Sequence, residues 1–389
     1  MQKNSVSRRR FIKTAGSVTG MVLGHPGLWA QQNENTPKTN IQDAMGVKRT
    51  AHSLPGAFPG RVIETHHPEA MSDNGLQPER VETLFHTGLQ TLCGRTLQEC
   101  FDLFFTVTDQ VGIKVNPVGA GLISTRIGLV EAIIDWLTSC GLPRHQITIW
   151  DRFDYMLKDA GFTPERFPGI RIAGLQTMDE AAMQDKSGNP QRWQNSKGQH
   201  VSHDQFDQHV FYWADVQAPQ DDNYLNQHVF NNKFSYFGKL LTQELTKIIN
   251  VPVFKNTGNG ISMATKNLGY GSICNTGRLH RPLFFNVCTE VLAFPVLRDK
   301  LVLNITDGLR AQYDGGPGPA AQFTTFYNRL FFATDPFALD RICHDLLVTM
   351  RKEKGIDVNE HPRFTQYLRY AEELGLGIVN PGKTEHIRV

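Results

Sequence analysis

The sequence has few cysteines, little net charge and none of the common nucleotide-binding glycine motifs. Its six cysteines contain no C-x-x-C spacing, which argues against iron–sulfur and zinc-knuckle sites, and they are too sparse for a disulfide framework. The formal net charge of +2 gives no support for nucleic-acid binding or for a basic membrane-binding surface. Neither a P-loop nor a dinucleotide fingerprint occurs, so we predict no ATP or NAD site.

The N-terminus carries a specific export signal. The segment Ser7–Lys13, S-R-R-R-F-I-K, matches the twin-arginine motif, and a mild apolar run from Ala15 to Leu23 follows it. That run is too short and too weak to span a bilayer, and no later stretch approaches the required length. We therefore predict a twin-arginine signal peptide at residues 1–30 and the twin-arginine translocase as partner during export. The mature protein is predicted to be periplasmic or otherwise exported, with no stable membrane span after cleavage.

Differences in amino-acid composition divide the remaining chain into a polar segment and a domain. Hydrophobic residues make up 40% and charged residues 20% of the sequence, as in ordinary soluble proteins. Residues 31–80 are polar and are interpreted as a linker and wrapping segment, and residues 81–389 as a single α/β domain. Within it, residues 175–235 are polar and aromatic and are predicted to form an insertion or lid. That insertion holds a histidine cluster, for which a solvated loop is favoured over a metal site: His200, His203 and His209, with Asp204 and Asp207.

Apolar runs and helical patterns alternate through the domain. Short apolar strands are predicted at 111–115, 147–150, 248–254, 301–306 and 330–334, with helical segments between them. Strand–helix–strand units of this spacing indicate a mainly parallel sheet flanked by helices. The predicted fold class is therefore α/β.

Polar side chains follow these apolar runs: Lys114 and Asn116, Asp151 and Arg152, Lys255 and Asn256, Asp307, and Asp335. Ligands of parallel sheets bind outside the carboxyl ends of the strands, so the pattern predicts one polar crevice at that edge. Helix capping is an alternative explanation for Asp151 and Asp335. It does not explain Lys114 or Lys255, because lysine is neither a capping nor a turn residue.

Six short blocks follow one another along the chain: V-G-I-K-V-N-P (111–117), I-W-D-R (149–152), I-N-V-P-V-F-K (249–255), T-K-N-L-G (265–269), L-N-I-T-D-G-L (303–309) and A-T-D-P-F-A-L-D (333–340). In this order they resemble the family called domain of unknown function 362, in its twin-arginine-exported branch. The resemblance covers roughly residues 95–350 and implies little about activity, although some members carry a ferredoxin-like cluster domain for which this chain lacks the cysteines. The six blocks contain Lys114, Asn116, Asp151, Lys255, Lys266, Asn267, Asp307 and Asp335.

The residue types in the predicted crevice favour a small anionic ligand. Lysine and arginine bind carboxylates and phosphates, and a lysine among other cations has a lowered pKa and can act as base or nucleophile. We predict Lys255 and Lys266 as catalytic residues. The predicted ligand-binding residues are Lys114, Asn116, Asn267, Arg278, His280, Gly315 and Gly316. A divalent cation on Asp151, Asp307 and Asp335, with Asn116 or Asn267 as neutral oxygen ligands, is the alternative use of the crevice.

Two functions remain open from the sequence. The first is a periplasmic enzyme that acts on a small anionic substrate. The second is a non-catalytic protein that uses the same crevice for ligand binding or cofactor maturation. Lysines that converge in a buried site with a perturbed pKa favour the enzyme, whereas splayed, solvated lysines favour the binding protein.

Overall fold

A computed structural model describes residues 37–176, 205–216, 233–281 and 283–389. Residues 37–389 form one compact unit. The predicted signal peptide at 1–30 lies outside the described residues, as do His200, His203 and Asp204 of the histidine cluster.

The strands and helices of the described chain run in the following order. The strands are β1 (Arg61–His66), β2 (Met71–Ser72), β3 (Gly75–Leu76), β4 (Val111–Lys114), β5 (Ile147–Phe153), β6 (Arg171–Gln176), β7 (Phe206–Trp213), β8 (Phe234–Gly238), β9 (Lys247–Asn250), β10 (Val253–Thr257), β11 (Gly260–Ile261), β12 (Leu301–Gln312), β13 (Thr324–Ala333) and β14 (Glu385–Arg388). The α-helices are α1 (Ile41–Met45), α2 (Pro78–Cys93), α3 (Leu97–Phe104), α4 (Ile127–Ser139), α5 (Asp154–Asp159), α6 (Ala264–Gly269), α7 (Asn286–Leu292), α8 (Pro295–Arg298), α9 (Pro336–Glu353) and α10 (Gln366–Glu373).

A central sheet organises the molecule, with strand order β14-β1-β13-β12-β9-β4-β5-β6. Neighbours from β12 to β6 are parallel, and only β13 runs antiparallel to both of its neighbours within this path. β10 adds a parallel pairing to the far half of β12, and β11 pairs with β10. The predicted α/β fold with a mainly parallel, helix-flanked sheet is confirmed.

Helices cover both faces of this sheet. Successive residues of a strand point to opposite faces, and β13 shows the consequence. Phe332 packs near Phe85 of α2, with ring centroids 6.1 Å apart, in the core that also includes α3 and α4. Its neighbour Phe331 belongs instead to the core beneath α9. The segment from α6 to α10 lies on this second side, where α9 contacts β13 and α6 contacts α7.

Several element boundaries differ from the sequence prediction. The helical pattern at 81–105 is two helices, because Gly94 adopts a left-handed conformation with φ of 65° and ends α2, and Thr96 with Glu99 starts α3 through a capping box. Asp151 lies within β5 and Asp307 lies in the middle of β12, so neither residue ends its strand as predicted. The segment 31–80 supplies β1, an interior strand of the sheet.

One strand is interrupted where the candidate site lies. β9 and β10 both pair in parallel with β12, but Val251 and Pro252 separate them. Proline has no N–H to donate to a ladder, which accounts for a break at this point. The predicted insertion contributes β7 and the start of β8, which pair antiparallel with each other. Its segments 177–204 and 217–232 lie outside the described residues. Within the part of the chain that is described, no helix is long and apolar enough to cross a membrane.

Candidate functional site

Lys114, the last residue of β4, is fully enclosed. Its side chain is 1% exposed, and its ammonium donates to the carboxylate of Asp151, to the Val115 carbonyl at 2.8 Å and to Asn267 Oδ1 at 3.0 Å. Gly271 lies directly against it, since a Cβ at that position would sit 2.7 Å from Lys114 Cε. An ammonium has three N–H donors, and all three have acceptors here. Lys114 is therefore fully committed to internal bonds.

Lys255 on β10 lies in a different environment, although it is also only 1% exposed. Its Nζ donates to Asn116 Oδ1 at 2.9 Å and to the Val118 carbonyl at 3.2 Å. Among the described residues no carboxylate lies within ion-pairing distance of this amine. A buried lysine without an opposite charge favours the neutral form.

The charges around Lys255 support the same conclusion. Burial, followed by the charges of Lys266 and Lys114, lowers its pKa to about 7, and the charge of Asp151 partly opposes this shift. A neutral amine has two N–H donors and one lone pair. The two acceptors, Asn116 Oδ1 and the Val118 carbonyl, match those two donors, which leaves the lone pair available as a base or nucleophile.

The segment that covers Lys255 is a short loop with anchored ends. The Asn116 main-chain N–H donates to Thr125 Oγ1 at 2.8 Å, and the Thr125 N–H donates to the Asn116 carbonyl at 2.9 Å. Between these ends, Gly119 and Gly121 have positive φ angles of 84° and 78°. The loop is therefore closed at its base, while its glycines allow backbone conformations that other residues rarely adopt.

Lys266 on α6 is the third lysine and the most accessible of them. It is partly exposed, its Nζ lies 3.5 Å from Ser262 Oγ, and it lies 6.0 Å from the ring centroid of Tyr270. No carboxylate of the described residues pairs with it. Burial lowers its pKa from the usual value.

His280 stands next to Lys266 as a neutral group. Its ring is 4.3 Å from that of Tyr270, centroid to centroid, and burial together with the charge of Lys266 lowers its pKa to about 4. Its Nδ1 lies 3.0 Å from the Thr276 carbonyl, which can only accept. Nδ1 therefore carries the hydrogen, and Nε2 is left as an acceptor.

The side chain of Arg278 bonds to residues in and beside β7 and β8, away from the lysine network. It donates to the carbonyls of Ala214 and Val216, at 3.2 and 3.0 Å, and to Ser235 Oγ at 2.8 Å. Ala214 and Val216 follow β7, and Ser235 belongs to β8. The structure thus gives Arg278 the role of holding the hairpin against the segment that follows α6.

Gly315 and Gly316 brace the turn beside Lys255. The Gly316 N–H donates to Asn256 Oδ1 at 2.9 Å, and a Cβ on Gly316 would lie 2.2 Å from the Asn256 carbonyl oxygen. Arg351 of α9 reinforces the arrangement by donating to the Gly258 carbonyl and to Asp314. The Gly316 N–H is therefore engaged by Asn256 within the protein.

The structure does not bring the three predicted metal-binding carboxylates together. Asp151 pairs with Lys114. Asp307 accepts from the main-chain N–H groups of Arg126 and Leu309, and burial raises its pKa. Asp335 caps α9, and burial raises its pKa to about 7. It follows β13, and its carboxylate also accepts the main-chain N–H groups of Gly60 and Ile378.

Each carboxylate thus has its own structural partners, and the described residues hold no group of three His, Cys, Asp or Glu arranged for a metal ion. Of the histidine cluster, only His209 and Asp207 are described, and the Asp207 carboxylate accepts the main-chain N–H of His209 at 2.9 Å.

Three residues of the site have no counterpart in the sequence prediction. Asn250 and Asn304 link the lysine network to the sheet interior, and Asp340 of α9 fixes the start of α6. The two asparagines did leave a signal, because each interrupts an otherwise apolar strand, in I-I-N-V and V-L-N-I. An amide buried in a strand needs partners, and here those partners are other amides.

A family model described as a domain of unknown function, DUF362, matches residues 192–345. The matched region contains Lys255, Lys266, Asn267 and Asn250, whereas Lys114 and its partners on β4 and β5 precede it. No curated protein matches the sequence.

Proposed function

We propose that this protein is an exported enzyme acting on a small anionic molecule, with Lys255 as base or nucleophile and Lys266 as the cation that binds the anionic group. One observation carries the proposal. Lys255 is buried, has two acceptors for its N–H groups, and has no carboxylate partner among the described residues. A lysine poised near neutral pH is suited to proton transfer or to attack on an electrophile.

The anionic character of the ligand follows from the charges nearby. Lys266 is partly exposed and has no carboxylate partner in the described chain, while Lys114 is already neutralised by Asp151. An anion beside Lys266 would remove its repulsion of Lys255 and satisfy its ammonium. Asn116 and the neutral His280 supply further polar contacts at the same place.

Access to Lys255 requires movement of the covering loop, residues 117–124. The Val118 carbonyl and Asn116 Oδ1 are bonded to the amine, and both residues are partly exposed. An anion that binds Lys266 would approach from this side. Opening of a loop anchored at Asn116 and Thr125 would leave the strands in place.

The export component rests on the N-terminal S-R-R-R-F-I-K motif. Twin-arginine substrates fold before they cross the membrane, so the lysine site would be assembled in the cytoplasm and would act in the periplasm.

The proposal is tested by thermal shift with a panel of small carboxylates and phosphates, followed by product analysis for every compound that stabilises the protein. We expect wild type and Lys383→Met, a control at an exposed lysine, to show the same shift. Lys266→Met should abolish it. Equal shifts in all three proteins would refute the anion site. A shift without any product, for every stabilising compound, would identify a non-catalytic binding protein instead.

A further inference from the structure

Four asparagine side chains form an unbroken hydrogen-bonded row that starts at Lys255 and ends inside the sheet. Asn116 Nδ2 donates to Asn267 Oδ1 at 3.0 Å, Asn267 Nδ2 to Asn250 Oδ1 at 2.8 Å, and Asn250 Nδ2 to Asn304 Oδ1 at 2.9 Å. Asn250 and Asn304 have no exposed surface. In each of these bonds, the asparagine nearer to Lys255 donates and the next asparagine accepts.

The direction of these bonds is fixed by groups that can act in only one way. Asn304 Nδ2 faces the carbonyls of Ala333 and Thr334, both at 3.4 Å, and Asn250 Nδ2 also donates to the Ala264 carbonyl at 3.0 Å. Carbonyls only accept, so these amide nitrogens must point at them. At the other side, the Lys114 ammonium only donates, and it meets Asn267 Oδ1. No amide in the row can turn over without losing a bond.

The sheet supplies the rigid base for this row. Lys114, Asn250 and Asn304 are paired across the adjacent strands β4, β9 and β12, so their side chains leave the same face side by side. Asn267 lies above them on α6. The row thus connects three strands and a helix to the loop residue Asn116, which is the first residue to contact Lys255.

We infer that Asn250 and Asn304 are positioning residues for Lys255, which act by holding the Asn116 amide with its oxygen towards the lysine amine. If the Asn116 amide turned over, Nδ2 would face the amine and donate to its lone pair. The base or nucleophile would then be blocked. The inference rests on the proposed function, because the row can affect the reaction only if the lone pair of Lys255 acts as base or nucleophile.

The test measures the reactivity of Lys255 in the intact protein by reductive methylation with formaldehyde and cyanoborohydride, followed across pH by mass spectrometry. The charged groups that face the amine are Lys266 on α6, Lys114 on β4 and Asp151 on β5. They remain unchanged in every variant. In Asn250→Leu we expect the plateau rate at high pH to fall about fivefold, the effect of one net hydrogen bond, and the midpoint to move to lower pH because the ammonium loses an acceptor.

Asn304→Ser is the milder variant, since serine keeps a polar group but is too short to bridge to Asn250. It should change the reactivity in the same direction and by less. Gln146→Met is the matched control: Gln146 is a buried amide with two bonds to main-chain carbonyls, Val107 and Asp109, outside the row. We expect it to lower stability without altering Lys255.

Wild-type reactivity of Lys255 in folded Asn304→Ser, and in Asn250→Leu where that variant folds, would overturn the positioning role. This outcome is separate from failure of the proposed function. Absence of any anion-induced thermal shift in wild type rejects the anion site whatever the methylation profile. A retained anion shift together with unchanged Lys255 reactivity rejects only the role of the asparagine row.

Discussion

The carboxylate of Asp340 accepts both the main-chain N–H and the hydroxyl of Thr265. Its other oxygen accepts the N–H of Ala264 at 2.8 Å. Asp340 belongs to α9 and is completely buried, whereas Ala264 and Thr265 begin α6, the helix that carries Lys266 and Asn267. A carboxylate from one helix thus replaces the missing N-cap of another and fixes the position of two site residues.

We expect Asp340→Asn to lower the free energy of unfolding by roughly 1–3 kcal/mol, because an amide nitrogen cannot accept and one buried donor loses its partner. The matched control is Asp345→Asn on the same helix. Asp345 is exposed and pairs with Arg341 one turn away, so its replacement should change stability by no more than about 0.5 kcal/mol. Chemical denaturation measures both. Equal stability of the two variants would show that Asp340 does not hold α6.

The Lys114–Asp151 pair provides a second prediction. Burial lowers the pKa of Lys114, and the charge of Asp151 opposes that effect, so each group depends on the other. Lys114→Met alone leaves a buried carboxylate unpaired and should lower the free energy of unfolding by roughly 3–5 kcal/mol.

The double variant Lys114→Met/Asp151→Asn should recover part of this loss, because no unpaired charge remains. The coupling energy of the double-mutant cycle is the measurement. A fully additive double variant would mean that the two groups do not stabilise each other.

The sequence was sufficient for the fold class and for the strands from β4 to β13 that have long apolar runs, because these signals are local, whereas β1, β6 and β14 were not predicted. The apolar runs of β4, β5 and β13 and the helical period of α9 can be recognised within a few residues, and Pro336 after Asp335 marks the start of that helix. The sequence also indicated that Lys255 lies near Lys114 and Asn267, because all three lie close to the carboxyl ends of parallel strands.

The roles of individual side chains could not be predicted from such local sequence patterns. Lys114 and Lys255 look alike in sequence, each at the end of an apolar run, and only their partners separate them: a carboxylate for one, an amide and a carbonyl for the other. Asp307 and Asp335 were grouped with Asp151, although Asp307 accepts main-chain N–H groups of Arg126 and Leu309 and Asp335 caps α9. These distinctions depend on contacts between residues more than 30 positions apart.

Export supplies a third prediction. Arg8→Lys together with Arg9→Lys should leave the precursor in the cytoplasm, because the translocase reads the guanidinium pair and lysine does not present the same planar fork. Cell fractionation followed by immunoblotting measures the distribution. Arg95→Lys, at an exposed position outside the motif, should leave it unchanged. Undiminished periplasmic protein in the double variant would refute the twin-arginine assignment.

The fourth prediction concerns the stability of Lys255→Met at different pH values. The pKa of Lys255 is about 7 in the folded protein and takes its ordinary value of about 10.4 in the unfolded chain. Below pH 7 both states are protonated, and the folded state carries the full penalty of a buried charge. Between pH 7 and about 10.4 the unfolded state binds more protons, so the stability of wild type rises with pH relative to the variant.

Lys255→Met should therefore be more stable than wild type at about pH 6, by at most roughly 5 kcal/mol, and this advantage should shrink steadily towards about pH 10. Methionine has no titrating group and fills a similar volume, so the difference between the two proteins isolates the lysine. Lys383→Met, at the surface, should show a small difference that does not change with pH. Denaturation at several pH values measures both. A variant that is less stable than wild type at pH 6 would mean that Lys255 is charged and paired in the folded protein, and its role as a neutral base or nucleophile would be excluded.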